Sequence, residues 1–230
     1  MTQGRPNPAA RLAQSRESIS ELTTGRLSVY LRCLLELECQ GVTTVSSNEL
    51  ARRFHLNSAQ IRKDLANFGE FGIRGVGYDV CALKRNLIDT LGLSRDRTMI
   101  IVGAGNLGMA LVNANGFNSG GFRVVALFDD DPAKIGTLAR SGAPVLSTTD
   151  VQSIVSKHEV EIGIIAVPAS SAQKVYDILA DCGIRAVLNF APARIEEREG
   201  IKTRTVDLRI NLETLSYFLR CSEAGGDLFP

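Results

Sequence analysis

Three glycines spaced as Gly103-Ala104-Gly105-Asn106-Leu107-Gly108 make the arrangement that lets a polypeptide backbone close around a diphosphate. The first glycine permits a sharp turn, the second lets the main chain approach the ligand, and the third allows a helix to lie tightly on a strand. The apolar run Thr98-Met99-Ile100-Ile101-Val102 before them reads as a buried parallel strand, and Met109-Ala110-Leu111-Val112 after them as the start of a helix. Free amides at that helix start would face the anion. Another strand, Phe122 to Phe128, ends in Asp129, 21 positions after Gly108. That is close to the separation at which a carboxylate accepts the ribose hydroxyls of an adenosine. An acidic residue there prefers a free 2′-hydroxyl, so NAD(H) is expected over NADP(H). A Rossmann-like domain that binds nothing, or another nucleotide, would share the pattern.

A second set of residues carries cations and amide donors. Gln60, Arg62 and Lys63 fall on a short predicted helix from Ser58 to Phe68, whose inward stripe is Ile61, Leu65 and Phe68. Such a helix fits the major groove of DNA, with hydrogen-bond donors at its leading end and cations near phosphates. Ser47 and Ser58 add hydroxyls that could donate to the phosphodiester backbone. Ser58 is expected to cap this helix, and Ser46, three residues before Glu49, to cap the preceding one. The pair reads as a helix-turn-helix, although a small helical domain with a solvated basic surface would look similar. Phe71 to Tyr78 then alternates glycine with larger residues, which predicts a tight hairpin. Arg74 and Gly75 would form its tip, a wing able to reach a neighbouring minor groove. An interdomain turn is the alternative.

The elements that must hold these residues follow from hydrophobic periodicity. Leu27, Leu31, Leu34 and Leu35 predict a helix over Arg26–Cys39 with those four on one face, ended by Gly41. Leu83 to Leu91 reads as a linking helix stopped by Gly92. Strand candidates at Ala143–Leu146, Glu161–Val167, Arg185–Asn189 and Ile201–Val206 alternate with helices near Thr149–Lys157 and Ser171–Cys182, giving repeated β-α units. Val167, Pro168, Asn189 and Ala191 follow strand ends, where ligands of parallel sheets lie, and are candidate neighbours of a nicotinamide ring. Each also has an ordinary loop reading. Leu208, Leu212, Leu215 and Leu219 make a terminal helical stripe that could dock on its own sheet or on a partner subunit. Groove-reading helices work in twofold pairs, so a homodimer is the economical arrangement.

The expected class is therefore α/β, with an N-terminal winged helix-turn-helix and a Rossmann-type parallel sheet in the larger C-terminal domain. The expected boundaries are a loose arm over 1–22, the winged helix over 23–82, the dinucleotide domain with its linking helix over 83–206, and a dimerisation helix and tail over 207–230.

Bulk composition narrows the function classes. The chain has 230 residues, 44% hydrophobic and 22% charged, as an ordinary globular protein does. Its formal charge of +1 hides an asymmetry, since residues 1–85 hold 12 Lys/Arg against 8 Asp/Glu and the remainder 14 against 17. Five dispersed cysteines, odd in number and without a close CxxC pair, argue against a disulfide framework or a zinc site. No signal-like or membrane-spanning run is evident, so a cytoplasmic location without membrane or metal partners is expected. Turnover by a dehydrogenase needs an acid/base beside the hydride path. His55 and His158 fall in unpromising places, and Lys174 and Tyr176 lack the Tyr-x-x-x-Lys spacing, which favours binding without catalysis. A small NAD-dependent reductase with an N-terminal substrate or protein-binding domain remains the main alternative, and a NAD-binding assembly module a third.

From Arg26 to Phe218 the chain closely resembles the Rex family of redox-sensing transcriptional repressors. The resemblance rests on Ile61-Arg62-Lys63-Asp64-Leu65, on Phe68-Gly69-Glu70-Phe71-Gly72-Ile73-Arg74-Gly75-Val76-Gly77-Tyr78, on the Gly103–Gly108 loop, on Asp129-Asp130-Asp131-Pro132 and on Asn189-Phe190-Ala191-Pro192. It implies a homodimer with an exchanged C-terminal helix that binds double-stranded operator DNA and is released by NADH. It also implies that Arg62 and Lys63 face the groove and the phosphates, that Arg74 lies in the wing, and that Asp207 opens the exchanged helix near the partner's cofactor. Two positions depart from the family pattern: Asn106 where an arginine often stands, and Ala114 where a tyrosine is usual. These departures predict a less sharp distinction between NADH and NAD(+).

Overall fold

A computed structural model of the chain describes residues 20–69, 71–73, 75–114 and 120–223. The chain divides into two compact units, with the division between Arg95 and Asp96.

The first unit opens with helix α1 (Glu21–Cys39), capped by Ser20, whose hydroxyl accepts the Thr23 amide. Its buried stripe is Leu27, Tyr30, Leu31, Leu34 and Leu37, whereas Leu35, expected on that face, points outward. Gly41 adopts a left-handed conformation and turns the chain into strand β1 (Thr44–Val45). Ser46 caps α2 (Ser47–Phe54) as expected, accepting the Glu49 amide. His55 sits in the left-handed region and joins α2 to α3 (Ser58–Ala66). The cap of α3 is Asn57, whose Oδ1 accepts the Gln60 amide at 3.0 Å, and Ser58 is instead the first helical residue. Asparagine and serine cap almost equally well, so two adjacent candidates left the position open by one residue. Strands β2 (Gly72–Ile73) and β3 (Gly77–Asp79) form a hairpin, and β1 joins β3 to complete a small antiparallel sheet in the order β1-β3-β2.

Helix α4 (Val80–Thr90), capped by Asp79, begins three residues earlier than the periodicity suggested. Its buried Leu83 and Leu87 belong to the same core as Leu27, Leu34, Leu50, Ile61 and Leu65. The helix expected to open the dinucleotide domain is thus part of the winged unit, which runs past the expected boundary at residue 82.

The second unit is a six-stranded parallel sheet in the order β6-β5-β4-β7-β8-β9. Its strands are β4 (Arg97–Val102), β5 (Phe122–Asp129), β6 (Val145–Ser147), β7 (Ile162–Ile165), β8 (Ala186–Asn189) and β9 (Lys202–Thr205). Among the described residues four α-helices accompany them: α5 (Asn106–Asn113), α6 (Val151–His158), α7 (Ala169–Asp181) and the terminal α8 (Leu208–Glu223). Counted from β4, the strand order is 3-2-1-4-5-6, that of doubly wound dinucleotide-binding sheets. Strand β4 lies centrally, with Met99 and Ile101 in one core and Ile100 and Val102 in the other. A strand covered on both faces has to be apolar throughout, which explains the uninterrupted run read in the sequence.

Candidate functional site

The chain reverses its strand order between β4 and β7, and a crevice opens there at the carboxyl ends of the strands. Gly103 turns the chain out of β4 with φ at 105°, and a Cβ on it would lie 2.3 Å from the Ala166 carbonyl oxygen. A Cβ on Gly108 would lie 1.9 Å from the Gly103 carbonyl oxygen, so only glycine allows α5 this close to the strand. A Cβ on Gly105 would meet nothing within 4 Å. This glycine therefore leaves open the space that a diphosphate would enter. Gly105 is the N-cap of α5, and no side chain caps the helix in its place.

The side chain of Asp129 closes the other end of the loop. Its Oδ2 accepts the Ala104 amide at 2.8 Å and the Lys134 ammonium at 3.0 Å, while Oδ1 accepts the Asp131 amide at 3.0 Å. Burial alone would raise this carboxyl, but the Asp131 amide, Lys134 and the Ala104 amide outweigh it and hold it below the ordinary carboxylate value. Gly103, Gly105, Asp129, Val167 and Pro168 line one cavity of about 380 Å³, together with Lys134, Thr148, Ser171 and Lys174. Asn106 and Leu107 form the first turn of α5 beside it.

Asn189 and Ala191 have a different task. Both are buried, and Asn189 Nδ2 donates to the carbonyls of Ala191 and Ala193 while its Oδ1 accepts the Ala191 amide. They shape the loop leaving β8 and do not line the cavity that holds Asp129.

In the first unit, Arg62 and Lys63 are exposed on α3. Arg62 Nη1 donates to Ser47 Oγ at 2.9 Å, which joins the middle of α3 to the start of α2 through a surface pair. Gln60 does not share this surface: its Nε2 donates to Asp64 Oδ1 at 2.7 Å, which turns it toward the interior. A groove between α3 and the hairpin is lined by Ser47, Arg62, Gly72, Ile73, Gly75 and Tyr78, among others. Gly75 sits in the hairpin turn with φ at 85°, and Gly77 with φ at 109°, where a Cβ would strike the Val45 carbonyl oxygen at 2.6 Å. The hairpin is thereby held against the start of α2. Arg74 lies outside the described residues.

Asp207 precedes α8, and its Oδ1 accepts the Arg209 amide at 2.8 Å. Leu208, Leu212 and Leu215 are 66%, 65% and 60% exposed, and no described residue of α8 is buried. Docking on its own sheet, one of the two expectations for this helix, does not occur.

Residues 18–66 match the family model described as "Putative DNA-binding protein N-terminus", and residues 94–193 match the "CoA binding domain" model. The redox-sensing transcriptional repressor Rex of Desulfitobacterium hafniense is 44% identical over 199 residues, covering 86% of this chain and 94% of its own. This chain belongs to the Rex family of redox-sensing transcriptional repressors. Among solved structures, the Rex-family repressor RSP in complex with beta-NAD+ and operator DNA superimposes with a TM-score of 0.84 at 36% identity, over 90% of this chain and 94% of that one. RSP in complex with beta-NADH gives 0.80 at 34% identity, over 90% and 97%.

Two features of this Rex chain escaped the sequence reading. Asp64 is 1% exposed, and it takes hydrogen bonds from Arg26, Tyr30 and Gln60. An acid amid an apolar stripe was a visible sign, but two of its three partners, Tyr30 and Arg26, lie 34 and 38 residues away. Lys134 was readable as the nearest cation after Asp129, and the intervening Pro132 marks the turn that brings it back.

Proposed function

We propose that this Rex protein is a homodimeric repressor that grips operator DNA through α3 and the hairpin and lets go when NADH fills the crevice beside Asp129. The observation that carries the reading is the pairing, in one chain, of an exposed Arg62 on a groove-sized helix with an open Gly105 at the switch point of a 3-2-1-4-5-6 sheet. Arg62, braced by Ser47, supplies base or phosphate contacts, and Lys63 a phosphate contact. Gly75 lets the wing approach the duplex closely, with Arg74 as its cation.

The Gly103–Gly108 loop takes the diphosphate, and Asp129 the adenosine ribose, which favours NAD(H). Coenzyme A carries a similar adenosine diphosphate, but its ribose is phosphorylated at the 3′ position, where a carboxylate is a poor neighbour. Val167 and Pro168 share the Asp129 cavity and so support the adenosine half. Because the oxidised nicotinamide is cationic and the reduced ring neutral, an apolar ring site favours NADH through desolvation. A switch requires that difference, since a ligand with equal affinity for two states moves neither. Asn106 and Ala114 soften it relative to family members with arginine and tyrosine there.

The exposed leucines of α8 form the dimer contact, with Asp207 carried near the partner's crevice. Each leucine buried in that contact contributes roughly 1.5–3 kcal/mol, enough for the stripe to offset a substantial association cost.

No turnover is proposed. Neither histidine lines the crevice, and Tyr176 is fully buried with its hydroxyl accepting the Arg198 amide at 2.8 Å. Selection of duplexes from a randomised pool, with NAD(+) or NADH present, tests specificity and effector together. Recovery of one palindromic sequence that NADH releases supports the reading. Failure to hold any duplex at low salt, or slow reduction of common carbonyls without DNA binding, would favour the reductase alternative.

A further inference from the structure

Helix α3 carries the two cations assigned to DNA on a short frame. It has nine residues, of which Ile61, Asp64 and Leu65 are buried. Ile61 and Leu65 stand four apart, so they form a single apolar row along the helix. Such a row sets how deeply the helix sits in its core but only weakly how far it rolls about its own axis, because apolar contact is non-directional. Successive residues are about 100° apart around a helix. Asp64 and Arg62 therefore fall on opposite flanks of the Ile61–Leu65 row, and Lys63 faces away from it.

Both flanks are tied. On one, the Arg26 guanidinium of α1 donates through two nitrogens to the two oxygens of Asp64, and its Nη2 also reaches Thr23 Oγ1 at 3.1 Å. On the other, Arg62 reaches Ser47 on α2. The two ties differ in strength. Arg62 and Ser47 share a single exposed hydrogen bond, with which water competes. The Asp64 tie is a two-pronged, charge-assisted contact on a side chain only 2% exposed. A guanidinium fork is planar, so it fixes direction as well as distance.

A roll of about 20° moves a side-chain tip about 6 Å from the helix axis by about 2 Å. That displacement breaks a hydrogen bond to a base edge, whose working range spans about half an ångström. It changes the attraction to a phosphate far less, since charge interactions fall off slowly with distance. We propose that Arg26 is a positioning residue for operator recognition: through Asp64 it fixes the roll of α3, and so decides whether the side chains of that helix meet the base edges that mark the operator. The proposal rests on the reading that α3 enters the groove, and adds to it what sets the angle of entry. Arg26 acts on sequence discrimination and leaves the general attraction to DNA in place.

The test uses the full-length protein and two duplexes of equal length, the one that the parent selects from a randomised pool and a scrambled version of it. Both are titrated by fluorescence anisotropy at one salt concentration, below the onset of melting of each variant. Arg26→Lys keeps the charge and loses the fork, while Arg26→Met combined with Asp64→Leu removes both charges and leaves no carboxylate buried without a partner. The ratio of selected to scrambled affinity is expected to fall at least about threefold in the first and about tenfold or more in the second. Affinity for the scrambled duplex and for NADH should each stay within about twofold of the parent. An ion pair that only stabilised the winged unit would lower both DNA affinities by one factor, set by the folded fraction, and leave the ratio alone. A parent-like ratio in either variant therefore overturns the proposal, as does a scrambled-duplex affinity that falls in step with the selected one. A parent that selects no sequence at all overturns the groove reading of α3, and this inference with it.

Discussion

Arg26 grips both oxygens of the Asp64 carboxylate, its Nε donating to Oδ2 at 2.5 Å and its Nη2 to Oδ1 at 2.8 Å. Tyr30 Oη donates to Oδ2 at 2.9 Å and Gln60 to Oδ1, so α3 is tied to α1 by a charge as well as by apolar contact. Burial pushes the Asp64 carboxyl up, but hydrogen bonds from Arg26, Gln60 and Tyr30 outweigh it and hold it below its ordinary value. The Tyr30 hydroxyl moves upward, through burial first and then through the neighbouring carboxylate.

Replacing Asp64 by alanine should destabilise the winged unit by about 2 kcal/mol, less than for a fully buried pair because Arg26 reaches water. The sign of the pH dependence follows from the lowered carboxyl. Its contribution is complete above the unfolded-state value and is lost as pH falls through the folded one. Thermal unfolding should therefore show the parent losing stability on acidification more steeply than Asp64→Asn. Parallel slopes would remove the network from the account.

Arg62→Ala should weaken operator binding by about tenfold or more while leaving NADH affinity unchanged. Ser47→Ala should give a smaller loss, because it removes a brace and one hydroxyl but no charge. Gel-shift titrations at fixed salt read both, and equal losses would mean that Ser47 itself carries a main DNA contact.

Gly105→Val separates effector binding from folding. The backbone at Gly105 has a negative φ and a Cβ there meets no neighbour, so the variant should melt within a few degrees of the parent. Its isopropyl group occupies the space assigned to the diphosphate. Dinucleotide binding should fall by at least about a hundredfold, and operator DNA should stay bound whatever NADH is added. Retained NADH response would place the ligand elsewhere. Gly108→Ala is the contrasting case, and it should unfold the unit because the new Cβ meets the Gly103 carbonyl.

Leu212→Glu combined with Leu215→Glu should leave secondary structure intact, since α8 buries no side chain within its own chain. Sedimentation equilibrium should show the dimer dissociating at concentrations about a hundredfold higher than for the parent. An unaltered mass would assign the twofold contact to another surface.

The parallel sheet was legible because β4 needs apolar residues at every position and the Gly103 loop needs glycine where a Cβ would meet backbone. Both constraints act within a few residues. Where two side chains could do the same local job, the reading slipped: Asn57 took the cap assigned to Ser58, and Leu35 lay one edge beyond the true stripe. The destination of α4 depended on the opposing face of α1, a tertiary contact that periodicity does not encode. Gln60 appeared free for DNA because nothing local announces that Asp64, four residues on, is buried and already paired with Arg26.

The bare leucine stripe of α8 has a genetic consequence. This helix is the last of the described elements to be synthesised, and none of its described residues is buried in its own chain. In the proposed dimer, subunits therefore pair only after their last helix is made. A copy lacking Arg62 but retaining its leucines is then expected to draw intact copies into hybrids with one working hand on the duplex, so that a single damaged allele disables more repressor than it encodes.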